Sequence, residues 1–220
     1  MPDDESIARL LNVLYSAPTE PRRWRDFLRL LGAACGAENA AFLVHDLPGQ
    51  GHRVLAGLGD AVNDTAIHRY ESHYWQFDEW TNRFSQTAKP GEVLQGEAVW
   101  PESELLKSVY YNEFTRELDI CRLAAIFCVP APGVFEGIGL YRGLHEDSFG
   151  PEQISVLRMI APHLQTACET RHRLLALETR VADLETALDS ICTALLLVNA
   201  EGRIVLLNKQ GQAVLAIPRS

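Results

Sequence analysis

Residues 70 to 84 read YESHYWQFDEWTNRF, so Tyr70, Tyr74, Trp75, Phe77, Trp80 and Phe84 place six aromatic rings in fifteen residues around the acidic pair Asp78-Glu79. Trp100, Tyr110, Tyr111 and Phe114 follow. Aromatic residues are only 8% of the chain, so this concentration is a local feature rather than a habit of composition. Rings with hydroxyl or indole N–H handles, next to a carboxylate, can build a mostly apolar small-molecule pocket with a few polar anchors. The candidate ligand-binding residues are Tyr70, Tyr74, Trp75, Asp78 and Trp80, with Trp100, Tyr110, Phe114 and Cys128. Two other readings of the same residues stay open: an aromatic core under a long loop, or packed rings of which only Tyr74, Trp75 and Asp78 face a ligand.

Nothing comparable points to catalysis. Gly57-Leu-Gly59-Asp-Ala-Val62 begins like a dinucleotide fingerprint but has no third glycine, and its preceding strand reads as part of a hairpin, so it is a turn. Nucleophile elbow, P-loop and zincin patterns are absent. Cys168 and His172 share a helical face, but two ligands do not make a metal site, and His163 is more than one turn from Cys168. Five cysteines in an odd set without CxxC spacing suit reduced thiols. The expectation is a protein that is not an enzyme and needs no cofactor or metal.

A net charge of −9 and dispersed arginines exclude a phosphate-gripping surface on this chain, so any DNA partner is met through another domain. No run approaches a membrane span, and the N-terminus lacks signal-peptide features, giving an expected cytoplasmic location without membrane partners.

The elements that must hold the aromatic segment are legible in outline. Ile7, Leu10, Leu11 and Leu14 keep helical spacing; a second helix carries Trp24, Phe27, Leu28 and Leu31 and ends at Gly36. Strands are expected at 40–45 and 53–56 around the turn Leu47-Pro48-Gly49-Gln50-Gly51, at Val93-Leu94, and at 122–129 and 134–142 around PAPG. A helix is expected from about Glu102 to Arg116. Together these give an α+β domain over residues 1–150, an antiparallel sheet of about five strands covered on one side by helices. A closing helix opens at Ser148-Phe-Gly-Pro151, and Pro162 inside it predicts a kink or a division.

Beyond Pro162 the spacing tightens to a heptad pattern, with Leu174, Val181 and Leu188 at a and Leu177, Leu184 and Ile191 at d. Arg173 and Arg180 then fall at g, and Glu178 and Glu185 at e, so each arginine faces a glutamate of a parallel partner. Residues 151–192 therefore read as a closing helix continuing into a homodimeric coiled coil. The competing reading is one amphipathic helix lying on its own domain, since only about two and a half heptads are present.

HYWQFDEW (73–80), ELLKSVYYNEF (104–114), SFGPEQISVLRMIAPHLQTA (148–167) and LLLVNAEGRIVLLN (195–208) together resemble the sensory region of bacterial LuxR-type helix-turn-helix transcriptional regulators. The resemblance is to members with an N-terminal GAF/PAS-like sensor, a connecting helix, a PAS-like segment and a DNA-binding domain, and it spans most of the chain. It implies a ligand-sensing, dimeric region that binds a small apolar or aromatic effector and passes its state through the coil to a DNA-binding domain absent from this chain. The aromatic stretch is also distantly similar to autoinducer-binding domains, which would give Tyr70 or Tyr74 the tyrosine role and Asp78 the amide-binding role. Glu79 stands where that family has proline, and the tyrosine-to-aspartate spacing differs, so a ligand-sensing fold is implied but not an acyl-homoserine lactone. The rival reading is a ligand-independent dimerisation module with an aromatic-filled core. Residues 193–220 read as an incomplete PAS-like segment, a hairpin turning at Ala200-Glu201-Gly202 with a helix from about Asn208. The chain is accordingly expected to stop inside a second sensory unit, with this hairpin poorly ordered or paired across the dimer.

Overall fold

In the computed structural model, which describes residues 3–46, 51–85 and 89–216, Asp3 starts the first helix by accepting a hydrogen bond from the Ser6 amide at 2.9 Å. Asp4 and Glu5 sit in the first turn of this helix, α1 (Asp4–Ser16), where negative charge complements the dipole. Helix α2 (Arg23–Cys35) buries Trp24, Phe27, Leu28 and Leu31 and stops at Gly36, whose φ of 62° is a left-handed C-cap. The Arg142 guanidinium donates to the Cys35 and Gly36 carbonyls there, each at 2.9 Å, satisfying groups the helix itself leaves open.

Five strands form one sheet: β1 (Asn39–Asp46), β2 (Gly51–Leu58), β3 (Glu92–Gln95), β4 (Arg122–Ala131) and β5 (Val134–Arg142). The order is β2-β1-β5-β4-β3, and every neighbouring pair is antiparallel. Gly133, at φ 78°, makes the β4–β5 turn that PAPG announces. The turn expected at 47–50 lies outside the described residues.

Alternation along the strands creates two cores. Ala40 and Phe42, Ala124, Ile126 and Cys128, and Ile138 and Leu140 meet α1, α2 and the closing helix α7 (Pro151–Asp189). Leu43, Leu123, Ala125, Phe127 and Tyr141 meet the aromatic residues on the other face. That second face is covered by α3 (Asp64–Ser72), a 3₁₀ turn (Tyr74–Phe77), α4 (Glu79–Phe84), the single turns α5 (Gly96–Val99) and α6 (Glu102–Leu105), and a π turn (Tyr111–Thr115). The α+β class and five-stranded sheet are as expected, but the sheet is covered on both faces, not one. The expected helix from 102 to 116 is broken into α6 and the π turn; Ser108 intervenes and its hydroxyl caps the Tyr111 amide at 3.0 Å.

Pro162 does not divide α7. It lies on the exposed face, where the carbonyl that loses its N–H partner can meet water, while Leu157, Ile160, Ala161 and Leu164 stay packed on the sheet. The chain separates into two units, Met1–His172 and Arg173–Ser220, so α7 up to His172 belongs with the sheet in the first unit. Burial of Ile154 through Cys168 is the reason. No helix among the described residues is long and apolar enough to cross a membrane.

The second unit contains β6 (Leu196–Val198), β7 (Ile204–Leu207) and α8 (Lys209–Leu215), and its hairpin pairs within the chain. Asn208, 1% exposed, organises it. Its Oδ1 accepts from the Leu195 and Gly211 amides at 2.8 and 2.9 Å, and its Nδ2 donates to the Leu188 and Thr193 carbonyls at 3.1 and 2.9 Å. One side chain thus caps α8 and ties the end of α7 to the hairpin. Asn208→Ala should cost about 2 kcal/mol locally, and the Leu195 and Gly211 amides should exchange about 30-fold faster in hydrogen-exchange measurements.

Candidate functional site

Asp78 is the N-cap of α4 and is 3% exposed. Its Oδ1 accepts from the Thr81 amide at 3.2 Å; its Oδ2 accepts from the Thr81 hydroxyl at 2.8 Å and the Tyr70 hydroxyl at 2.9 Å. Burial raises the carboxyl above its ordinary value, against the hydrogen bonds from Thr81 and Tyr70 that lower it. The Tyr70 hydroxyl is pushed well up, first by burial and then by the Asp78 charge.

Two cavities lie between the sheet and the aromatic layer. The first, of about 30 Å³, has Asp78, Trp80, Thr81 and Tyr110 on the aromatic side and Leu43, His45, Leu123 and Phe127 on the sheet side. The second, of about 40 Å³, is lined by Ala41, Val54, Ala66, Tyr70, Phe114 and Thr115 among others. Leu43, Tyr110 and Tyr141 are walls of both. Each has room for only about two or three water molecules, so anything larger needs these shared walls to move.

The floor of the first cavity exists because β5 carries Gly137 and Gly139 where its alternation would put side chains. A Cβ on Gly139 would lie 2.8 Å from the Tyr141 hydroxyl oxygen and 3.0 Å from Leu123 Cδ1. Gly139→Ala should therefore push Tyr141 into the cavity. The expected cost is about 1–3 kcal/mol in urea unfolding, together with loss of any small molecule retained there.

Among the described residues, the buried side-chain polar atoms without a partner are His45 Nε2, Trp80 Nε1 and Thr115 Oγ1. His45 and Trp80 line the first cavity and Thr115 the second. Trp80 Nε1 packs against Gly96, where any Cβ would approach within 2.8 Å. Thr115 sits in the π turn, whose wider hydrogen-bond ring closes from Arg116 N to Tyr111 O. The Nδ1 atoms of His45 and His52 are 2.6 Å apart, and His52 stacks on Trp75 with centroids 3.6 Å apart. Burial, and then His52, push His45 down to about 4, so it is neutral near pH 7.

The candidate ligand-binding residues fall into three groups. Tyr70, Asp78, Trp80, Tyr110 and Phe114 line a cavity. Tyr74, Trp75 and Trp100 support the walls: Tyr74 stacks on Phe114 at 4.7 Å, Trp75 on His52, and Trp100 meets Trp80 edge-on at 5.7 Å. Cys128 lines neither. It is in phase with Ala124 and Ile126, faces α7, and is completely buried in the other core. His45, Thr81, Thr115 and Tyr141, which the aromatic pattern does not single out, also line these cavities; Gly137-Ile-Gly139-Leu-Tyr141, with glycines alternating in an apolar strand, is the sequence mark of the floor.

The coil positions Leu177, Val181 and Leu184 are 56%, 54% and 65% exposed. Arg173, Glu178, Arg180 and Glu185 are also exposed, and Leu174 and Leu188 half-buried. Ile191 lies beyond the end of α7 at Asp189, so the last d position is not helical.

No protein-family model matches the chain, and no curated protein matches it. Among solved structures it is similar to the VqsR LBD domain from Pseudomonas aeruginosa, with a TM-score of 0.60 and 20% identity over 77% of this chain and 95% of that one. It is similar to CepR2 from Burkholderia cenocepacia, an N-acylhomoserine lactone dependent LuxR family transcription factor (TM-score 0.53, 14% identity, 75% of this chain, 93% of that one). A structure of SdiA in complex with octanoyl-rac-glycerol is also similar (TM-score 0.51, 14% identity, 79% of this chain, 69% of that one), and SdiA has been solved from Escherichia coli. At these identities the shared property is the fold alone.

Proposed function

We propose that residues 1–172 are the effector-sensing domain of a LuxR-type transcriptional regulator, and that its effector is a small molecule held between the sheet and the aromatic layer. The observation that carries this reading is the placement of unpartnered buried polar atoms: His45 Nε2 and Thr115 Oγ1 belong to residues lining the two cavities, while Trp80 Nε1 turns to Gly96. Such atoms cost about 1–3 kcal/mol each when left unsatisfied, a cost that a hydrogen-bonding guest removes. The fold likeness agrees with it. The domain acts by binding, not by catalysis.

Both cavities are too small for an effector as they stand. Its entry turns Tyr110 and Tyr141 aside and joins the two spaces. Because Tyr110 directly precedes the π turn, occupancy favours one packing of that turn and of the sheet beneath it over another, which is the differential affinity a switch requires. Helix α7 lies against the far face of the same sheet and continues into the exposed heptad stripe. There a second copy pairs in parallel and carries the bias to a DNA-binding domain outside this chain.

Native mass spectrometry of the protein purified from its host, compared with the denatured mass, tests this. A molecule that co-purifies and is released on denaturation is the expected result. Octanoyl-rac-glycerol serves as a second probe, because SdiA is known in complex with it; it should raise the melting temperature of wild type and not of Gly139→Ala. The small volumes favour a second reading, a ligand-independent dimerisation module with a filled core. A dimer of apo mass that no uncharged amphiphile stabilises would establish that module instead.

A further inference from the structure

We infer that His45 is a second polar anchor of the effector, opposite Asp78, so that the effector is an uncharged molecule with two separated hydrogen-bonding groups. The inference rests on reading the cavities as the effector site. Ala41, Leu43 and His45 follow one another at strand spacing along the cavity face of β1, and His45 sits over the first cavity, 4% exposed. Its Nδ1 is engaged by His52 at 2.6 Å, and the stack on Trp75 holds His52 in turn. Nε2 is the ring atom left over, and it is buried without a partner in the wall of a cavity whose opposite wall carries Asp78.

The chemistry of the two anchors defines the guest. Asp78 lines the first cavity as an acceptor, so the end of the effector that meets it carries an N–H or O–H. One proton is shared between the two Nδ1 atoms, and whichever ring holds it decides whether His45 Nε2 donates or accepts. A hydroxyl satisfies either arrangement, and a carbonyl satisfies the donating one. Neither cavity has a lysine or arginine in its lining, and His45 stays neutral because burial holds it near 4. A carboxylate or phosphate would therefore lie buried without a counter-charge, and such groups are rejected.

Three matched series of straight-chain amides provide the probes: primary amides, their ω-hydroxy counterparts and their ω-carboxylate counterparts, titrated against the full chain by ligand-observed NMR. At the length that spans the first cavity, the hydroxy amide should bind at least about five-fold more tightly than the plain amide, the worth of one net hydrogen bond, and the carboxylate least. His45→Phe keeps ring volume without Nε2 and should abolish the hydroxy preference, so that hydroxy and plain amides bind alike. His45→Gln returns a polar group near the Nε2 position and should restore most of the preference, which a merely structural role for His45 would not do. Equal binding of hydroxy and plain amides to wild type, or a preference that survives in His45→Phe, would overturn the inference and leave the effector site standing. Failure of all three series to bind wild type would remove the effector site, and the inference with it.

Discussion

Replacing Glu136 with alanine is expected to destabilise the unit Met1–His172 by about 3–5 kcal/mol, the usual consequence of stranding one partner of a buried ion pair. Glu136 is 0% exposed on β5, on the helix-facing side with Ile138 and Leu140. Arg171 reaches it from α7 with both Nε and Nη2, Nε at 3.3 Å, and lies over the Phe42 ring at 5.9 Å. The pair joins helix and sheet close to where α7 leaves the core. Arg171→Met should cost a similar amount near neutral pH, because it strands the Glu136 carboxylate in the core. The double replacement of Glu136 and Arg171 by methionine should recover most of the loss, since removing both charges removes both desolvation costs. Urea unfolding of wild type, the singles and the double closes the cycle. Additive losses would mean that the two residues act separately and that α7 is held by its apolar face alone.

This pair also marks where sequence reading stops. Apolar spacing located α1 and α2, because their buried faces are local patterns, and PAPG located the β4–β5 hairpin because turn chemistry is local too. Which face of a strand meets which layer is not local. Leu123, Ala125 and Phe127 point to the aromatic cavity while Ala124, Ile126 and Cys128 point to the helices, and two apolar phases in one strand look alike until tertiary contacts choose. An apolar run that holds both phases points to Cys128 as readily as to Leu123. The density of rings marks the aromatic layer, and Asp78 within it, because a carboxylate among so many rings is a local anomaly. His45 carried no such mark. Its meaning depends on His52 and Trp75, which reach it only through strand pairing and the packing of the 3₁₀ turn. The broken 102–116 helix has the same origin: Ser108 competes for the backbone, and the π turn adjusts Tyr110, Tyr111 and Phe114 to a surface the sequence does not display.

Exchanging Val181 and Leu184 for aspartate in the same chain should convert a dimer into a monomer. Both side chains stand largely in solvent in the single chain, so their replacement leaves the fold of residues 1–172 and its melting temperature unchanged. In a parallel pair the two positions recur on each strand, giving four side chains worth about 1.5–3 kcal/mol apiece before ordering costs. Retaining even half of the lower figure after those costs weakens association by at least about 100-fold, which sedimentation velocity resolves directly. The flanking charges test the register itself. Arg180→Glu and Glu185→Arg should each weaken the dimer about two- to five-fold by placing like charges at facing g and e positions, and the two together should restore it. A dimer that survives the aspartates would have to use another surface, and a wild type that is monomeric at every concentration would leave the stripe without a second copy. Because Ile191 lies beyond α7, the helical seam comprises Leu174, Leu177, Val181, Leu184 and Leu188, so Val181 and Leu184 lie in the central and C-terminal part of it. There a buried charge has no frayed end through which to escape, and for that reason these two positions, not Leu174 or Ile191, should give the largest loss.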